Sequence, residues 1–343
     1  MTTPGDFRFG LGLWPEHPLA DAARLAALAE AHGFEGVWVP DERFHRDAYL
    51  TLGEVARATT RARVGPFVSD PYSRHPALTA VALATLDELA GGRAVLGLGA
   101  GASGFAALGL ARRQPATALR EAVGLIRRLW AGETVTLEGR VVQFRGGQLD
   151  FRPRPDIPIL VAGRGPKILE LAGEVADGVI VGALLSPSTF AYAQRHVRAG
   201  AARAGRALDR FQTVVWAHTA LDLDPARARD AVRKIVVGVL LTSREVLGDL
   251  GVTLPDVLAR ALVGVDYGHS DAVGRLAAQV PADVLAHFSL AGDGRQCLEG
   301  VARLAGEGVT HLAVVPWLVP GQTLEEFIVG FARDVIAPFG ARR

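Results

Sequence analysis

Cysteine is almost missing: Cys297 is the only one in 343 residues, so an internal disulfide framework is excluded. Neither sign of charge is in excess, with 37 Lys plus Arg against 36 Asp plus Glu. No basic block or tail interrupts that balance, so a nucleic-acid partner is not expected. No apolar run approaches the ~20 residues needed to cross a bilayer, because Gly, Arg, Asp or Glu breaks each one. The N-terminus has neither the basic nor the apolar region of a signal peptide. A cytoplasmic protein without membrane association, acting on a small molecule, is therefore expected. The nine histidines include no H-x-H or H-E-x-x-H, and cysteines cannot cluster, so no metal site is expected. A G-x-S-x-G elbow is also lacking, which argues against a serine hydrolase. Without low-complexity stretches or a proline-rich linker, residues 1–343 read as a single domain.

What the chain does have is hydrophobic residues, 49% of the total, in short runs that alternate with helical patterns. Phe7 to Trp14, Gly36 to Pro40, Arg63 to Ser69 and Arg93 to Leu98 read as strands. Each is followed by a helix: Leu19 to His32, Ala48 to Thr59, Pro76 to Leu89, and Ala116 to Trp130. Between about 133 and 151 the period changes to two, giving a hairpin in which Glu138-Gly139 joins Thr134–Leu137 to Val141–Phe144. The β/α order then resumes, with strands near Ile159, from Gly178 to Ala183, from Phe211 to Leu221 and from Val309 to Val315. A mostly helical insertion covers about 226–285, broken by Pro255, Gly264 and Gly268. Eight alternations of this kind predict an α/β fold, a single TIM (β/α)8 barrel with helices outside.

The stretch from Pro158 to Asp177 is the most informative. A strand ends in Gly163-Arg164-Gly165-Pro166-Lys167, and Ile168, Leu171, Ala172 and Val175 then recur on one helix face. Pro166 suits the first helical position. Bare glycines, two cations and the positive end of a helix make a phosphate seat, or else an ordinary turn whose basic residues are solvated. A second glycine cluster, Gly99 to Gly104, matches G-x-G-x-x-G, but Gly109 and Gln114-Pro115 break the segment that a Rossmann helix would need. Gly97, Gly99 and Gly101 instead leave one face of a strand end without side chains, where a flat ring or another backbone could come close. Strand ends also bring Asp41-Glu42, Phe67-Val68-Ser69-Asp70, Gly99-Ala100-Gly101, Ala162 to Lys167, and Gly182-Ala183. Carboxylates beside a glycine slot and a phosphate seat fit a flat, phosphorylated redox cofactor, with one acid holding the ring and another moving a proton. Capping or a surface acidic pair is the plainer explanation of Asp41 and Glu42.

The segments Gly65 to Pro76 (GPFVSDPYSRHP), Leu86 to Gly101 (LDELAGGRAVLGLGAG) and Pro158 to Gly178 resemble the bacterial-luciferase-like superfamily of TIM-barrel flavoenzymes. Within it they are most similar to the branch that uses the deazaflavin coenzyme F420, typified by methylenetetrahydromethanopterin reductase. The resemblance implies hydride transfer between F420 and an organic substrate, and commonly a homodimer. It implies that Asp41 contacts the ring and that Phe67-Val68 is a non-prolyl cis peptide behind it, next to Ser69. It places Gly99, Ala100 and Gly101 along the cofactor, Ala162, Gly163, Arg164, Gly165 and Lys167 at its phosphate, and Gly182 at a further contact. Asp41 and Glu42 are then the candidate catalytic residues. Glu42 stands where some relatives have a catalytic histidine, Ala102 where the sugar-phosphate dehydrogenases have a glutamate, and Gly12 where the methanopterin reductases have an acid. Neither of those two substrates is therefore expected. FMN-dependent relatives share the barrel, so an FMN monooxygenase is the alternative, and a non-catalytic flavin-binding relative a third reading.

Overall fold

Apolar runs too short for a helix, bounded by glycine and proline, become strands in the computed structural model, which describes residues 7–101, 103–263, 265 and 270–341. The first elements are β1 (Arg8–Gly12), α1 (Leu19–Ala31), β2 (Gly36–Val39), α2 (Ala48–Ala58), β3 (Arg63–Pro66), α3 (Pro76–Leu89), β4 (Leu96–Gly99) and α4 (Pro115–Trp130). A hairpin of β5 (Val135–Glu138) and β6 (Gln143–Gly147) follows. Then come β7 (Ile159–Gly163), α5 (Pro166–Val175), β8 (Gly178–Gly182), α6 (Pro187–Arg203) and β9 (Gln212–Leu221). The expected helical insertion is α7 (Pro225–Ser243), α8 (Asp256–Ala261), α9 (Ser270–Ala277) and α10 (Ala282–Phe288). Pro255 does stand before α8, whereas Gly264 and Gly268 lie outside the described residues, as does Ala102. Then follow β10 (Ser289–Gly292), α11 (Gly294–Gly306), β11 (His311–Pro316) and α12 (Leu324–Phe331), which runs on through a π-helical turn (Ala332–Ile336) into α13 (Ala337–Ala341).

Two compact units result. The first comprises Gly10–Ile180 and His196–Gln212. Outside the antiparallel β5–β6 hairpin its strand pairs are parallel: β1 pairs β2 with Gly10 opposite Gly36, β2 pairs β3 with Gly36 opposite Arg63, and β4 pairs β7 with Gly99 opposite Ala162. Bridges Val64–Ala94 and Ser69–Leu98 join β3 to β4. Strands β2 and β4 are buried at every residue, which is why they read as unbroken apolar or glycine runs rather than as alternation. Inside this unit the Trp38 indole stacks on Phe67 with centroids 4.2 Å apart, and a Cβ at Gly10 would fall 2.1 Å from its Nε1.

The second unit comprises Met1–Phe9, Val181–Arg195 and Thr213–Arg343. Here β9 is flanked in parallel by β11, with His311 opposite Val214, and by β10, with Ser289 opposite His218. Capping boxes start α11 (Asp293 with Gln296) and α12 (Thr323 with Glu326), each satisfying two backbone donors of a first turn. Cys297 is buried, and that burial pushes its thiol up to about 12, so it is a packing residue.

One boundary departs from the sequence pattern for a visible reason. The second hairpin strand starts at Gln143 rather than Val141, because Glu121 of α4 accepts the N–H groups of Arg140, Val141 and Val142 at 2.8, 3.0 and 2.8 Å. Donors taken by a carboxylate are not available to a ladder.

Glu30 does the same between α2 and β3, accepting the N–H groups of Thr60, Arg61 and Ala62 and the Thr60 hydroxyl. Burial alone would raise its carboxyl, but these bonds prevail and lower it from 4.5 to about 2. Glu30→Ala is expected to lower the unfolding free energy at pH 7 by about 2 kcal/mol, read by urea denaturation. A depressed carboxylate contributes stability above its unfolded value and loses it as pH falls through the folded one. The difference between variant and wild type should therefore close between pH 4.5 and about 2.

Candidate active site

The first unit brings most of the expected residues into one connected set. Asp41 follows β2, and its Oδ2 accepts from Ser69 Oγ at 2.7 Å. Ser69 lies just past the cis peptide Phe67-Val68, and its carbonyl accepts from Gly99 N–H at 3.0 Å. Gly99 pairs with Ala162, whose strand continues into Gly163 and the start of α5. The acid, the cis peptide, the glycine strand end and the proposed phosphate turn are thus neighbours in succession. Gly182 ends β8 and falls in the second unit, as does Ala183, whose φ of 53° is in the left-handed region.

The glycine-lined face is filled by protein rather than left open. A Cβ at Gly97 would lie 2.5 Å from Pro66 O, one at Gly99 2.6 Å from Val68 Cγ2, and one at Gly101 2.6 Å from Phe105 Cζ. Of the two occupants that the sequence allowed, the chain itself takes this face.

Both acids are tied at one oxygen by hydroxyl and guanidinium groups. Asp41 Oδ2 also meets Arg74 Nε at 3.2 Å. Glu42 Oε1 accepts from Ser103 Oγ and lies 3.7 Å from Arg43 Nη2. Among the described residues neither Asp41 Oδ1 nor Glu42 Oε2 has a protein hydrogen bond. Each acid therefore presents one unoccupied acceptor, and a paired cation offsets its charge.

Arg43 is the hinge pin of the region, and sequence reasoning missed it. Its side chain is 8% exposed and meets Asp70, 2% exposed, at 2.7 Å. Its Nε donates to Ser103 O at 2.6 Å, and its guanidinium sits 4.3 Å over the Phe105 ring. Asp70 in turn accepts from Tyr72 N, Ser73 N and Ser73 Oγ, so the buried charge is well solvated by donors. The loop after β4 is thereby pinned beside Glu42. One signal existed: a cation directly after two acids at a strand end.

At the other end, Gly165 is the N-cap of α5 and gives no side-chain cap, and a Cβ there would meet nothing within 4 Å. Pro166 at the first position has no N–H to offer, so Lys167 is the first residue of α5 with both a donor and a positive side chain. The first turn of α5 therefore has no side-chain cap, while Ile168 N–H turns back to Gly165 O at 3.1 Å.

Among the described residues no group of three His, Cys, Asp or Glu could hold a metal ion, and no helix is long and apolar enough to cross a membrane.

Comparison with known proteins narrows the reading. A family model described as luciferase-like monooxygenase matches residues 6–311. The chain is 36% identical over 306 residues to a 5,10-methylenetetrahydromethanopterin reductase of Methanolobus tindarius, covering 89% of this chain and 92% of that protein. It is 36% identical to an F420-dependent glucose-6-phosphate dehydrogenase of Nakamurella multipartita, over 67% of this chain and 73% of that one. Among solved structures, the coenzyme F420-dependent tetrahydromethanopterin reductase of Methanopyrus kandleri superposes with a TM-score of 0.85 at 30% identity, covering 97% of this chain and 99% of that one. Together with the alternation of strand and helix along the chain, in which β10 is an extra strand paired with β9, that likeness makes the fold a (β/α)8 TIM barrel. Because the family match extends from residue 6 to residue 311 over this same succession of strands and helices, the chain belongs to the luciferase-like monooxygenase family.

Proposed function

We propose that this protein is an oxidoreductase that binds coenzyme F420 and passes hydride between the deazaflavin and an organic substrate. The carrying observation is the unbroken path from Asp41 through Ser69 and Gly99 to Ala162 and the α5 N-terminus, in a chain whose relatives are named as F420 enzymes. The residues fit a phosphorylated flat cofactor. The uncapped α5 terminus, with Gly163, Arg164, Gly165 and Lys167, suits a phosphate. Asp41 Oδ1 suits an N–H donor on a ring bordered by Phe67, Val68 and Ser69 and by the main chain of Gly99, Ala100 and Gly101, whose side-chain face the protein itself fills.

When bound, the cofactor supplies two-electron hydride chemistry. The chain's own tasks are then orientation and proton handling. Asp41 orients the ring, and Glu42 Oε2 holds or moves the proton that must accompany hydride. Substrate would be a small organic molecule. The family resemblance supports a cytoplasmic homodimer, and Leu50 on α2 with Leu78 on α3, 68% and 62% exposed, offer an apolar outer face for it.

A second reading, an FMN monooxygenase, is favoured by the description of the matching family. Titrating the purified protein with F420 and with FMN, following cofactor fluorescence, separates the two. Saturable binding of F420 is expected. Saturation by FMN alone would transfer the assignment to the second reading, and binding of neither would end both.

A further inference from the structure

Four residues close a ring of contacts behind the proposed cofactor site. Asp41 Oδ2 accepts from Ser69 Oγ at 2.7 Å, Ser69 Oγ lies 3.0 Å from Tyr49 Oη, the Tyr49 ring carries the Arg74 guanidinium 4.7 Å from its centroid, and Arg74 Nε returns to Asp41 Oδ2 at 3.2 Å. Ser69 has one hydroxyl hydrogen and uses it on Asp41, so the Tyr49 phenol is the donor in the next bond. Although the Tyr49 ring is partly exposed, its hydroxyl end is enclosed, and that burial pushes the phenol well above its ordinary value. The relay therefore keeps one direction over any working pH: Tyr49 to Ser69 to Asp41. Arg74 also reaches Asp47 Oδ2 at 3.0 Å, and Asp47 Oδ1 caps α2 through Tyr49 N and Leu50 N. The ring is thus braced on a helix rather than on a loop, which is how a side chain is held to a small fraction of an ångström.

Among the described residues all the donors to Asp41 fall on Oδ2. A carboxylate fixed by two donors on one oxygen cannot rotate, and its other oxygen is aimed.

We propose that Tyr49 is a positioning residue: through Ser69, and with Arg74, it fixes Asp41 so that Oδ1 alone is presented as the acceptor for a ring N–H of the bound cofactor. The inference rests on the F420 reading of this site, and its test is arranged so that the two fail separately.

The experiment is a double-mutant cycle read by F420 fluorescence titration, without turnover. Tyr49→Phe keeps the ring and its stacking on Arg74 but removes the hydroxyl. It is expected to raise the F420 Kd about 10-fold in the wild-type background, the loss of one hydrogen bond to a charged group's partner. In an Asp41→Asn background, where the aimed carboxylate is already gone, the same change should have no effect. Ser69→Ala interrupts the relay at another point and should match Tyr49→Phe without adding to it, which keeps the test intact if either variant folds poorly. An equal loss in both backgrounds, or none in either, overturns the proposal and leaves Tyr49 as a brace for α2 alone. A wild type that binds no F420 overturns the site reading itself, and the positioning role falls with it.

Discussion

An Arg164→Glu, Lys167→Glu double variant is expected to bind F420 at least about 100-fold more weakly than wild type, while remaining folded. The first effect follows from reversing two charges at an anion seat. Charge-assisted bonds to phosphate are worth roughly 1.5–3 kcal/mol each, and a hundredfold change in Kd needs about 2.7 kcal/mol. The second follows from the helix itself. Acidic side chains next to the α5 N-terminus interact favourably with its dipole, so the turn should survive the change. Affinity should also fall with added salt in the wild type and hardly at all in the variant. Unchanged affinity in the variant would remove the phosphate from this turn.

Arg43→Met is expected to cost about 3 kcal/mol of folding stability, read by urea denaturation, because it leaves the buried Asp70 carboxylate without its cation, held only by Tyr72 N, Ser73 N and Ser73 Oγ. The same change removes the donor to Ser103 O and the cation over Phe105, so both residues lose their anchor. F420 affinity should fall with it. Adding Asp70→Asn should restore part of the stability but not the affinity, since the uncompensated charge is gone and Ser103 and Phe105 are still untethered. If Arg43→Met is as stable as wild type, the ion pair is incidental.

Whatever depends on neighbours in sequence was legible beforehand. Pro76 and Pro166 fix the starts of α3 and α5, and the hairpin shows through its change of period. The turn from Gly163 to Lys167 reads correctly as strand, glycine turn and helix because every signal lies within five residues. The second hairpin strand starts two residues late because Glu121, on another element, takes donors that local pattern assigns to a strand. The glycines at 97, 99 and 101 signal close approach but not by what; it is the chain from Pro66 to Val68 that approaches the first two. The partners of the acids were hidden for the same reason. Asp41 meets Ser69 and Arg74 at separations of 28 and 33 residues, and Glu42 meets Ser103 at 61. Nothing in a linear pattern of polar loop residues pairs them, although Asp41, Glu42 and Ser69 stand in segments already marked as strand ends.

The Trp38 indole has a consequence for how this chain can vary. It lies over Gly10 and Gly36, where any Cβ would fall within 2.1 and 2.5 Å of it, and its face is taken by Phe67. Side-chain volume for two strands has been concentrated in one residue of β2. A methyl group gained at position 10 or 36 is tolerable only if the indole shrinks, and a smaller residue at 38 leaves a void unless a glycine grows. Moving between such solutions one substitution at a time passes through a poorly packed intermediate, so changes at positions 10, 36 and 38 are expected to be coupled in stability.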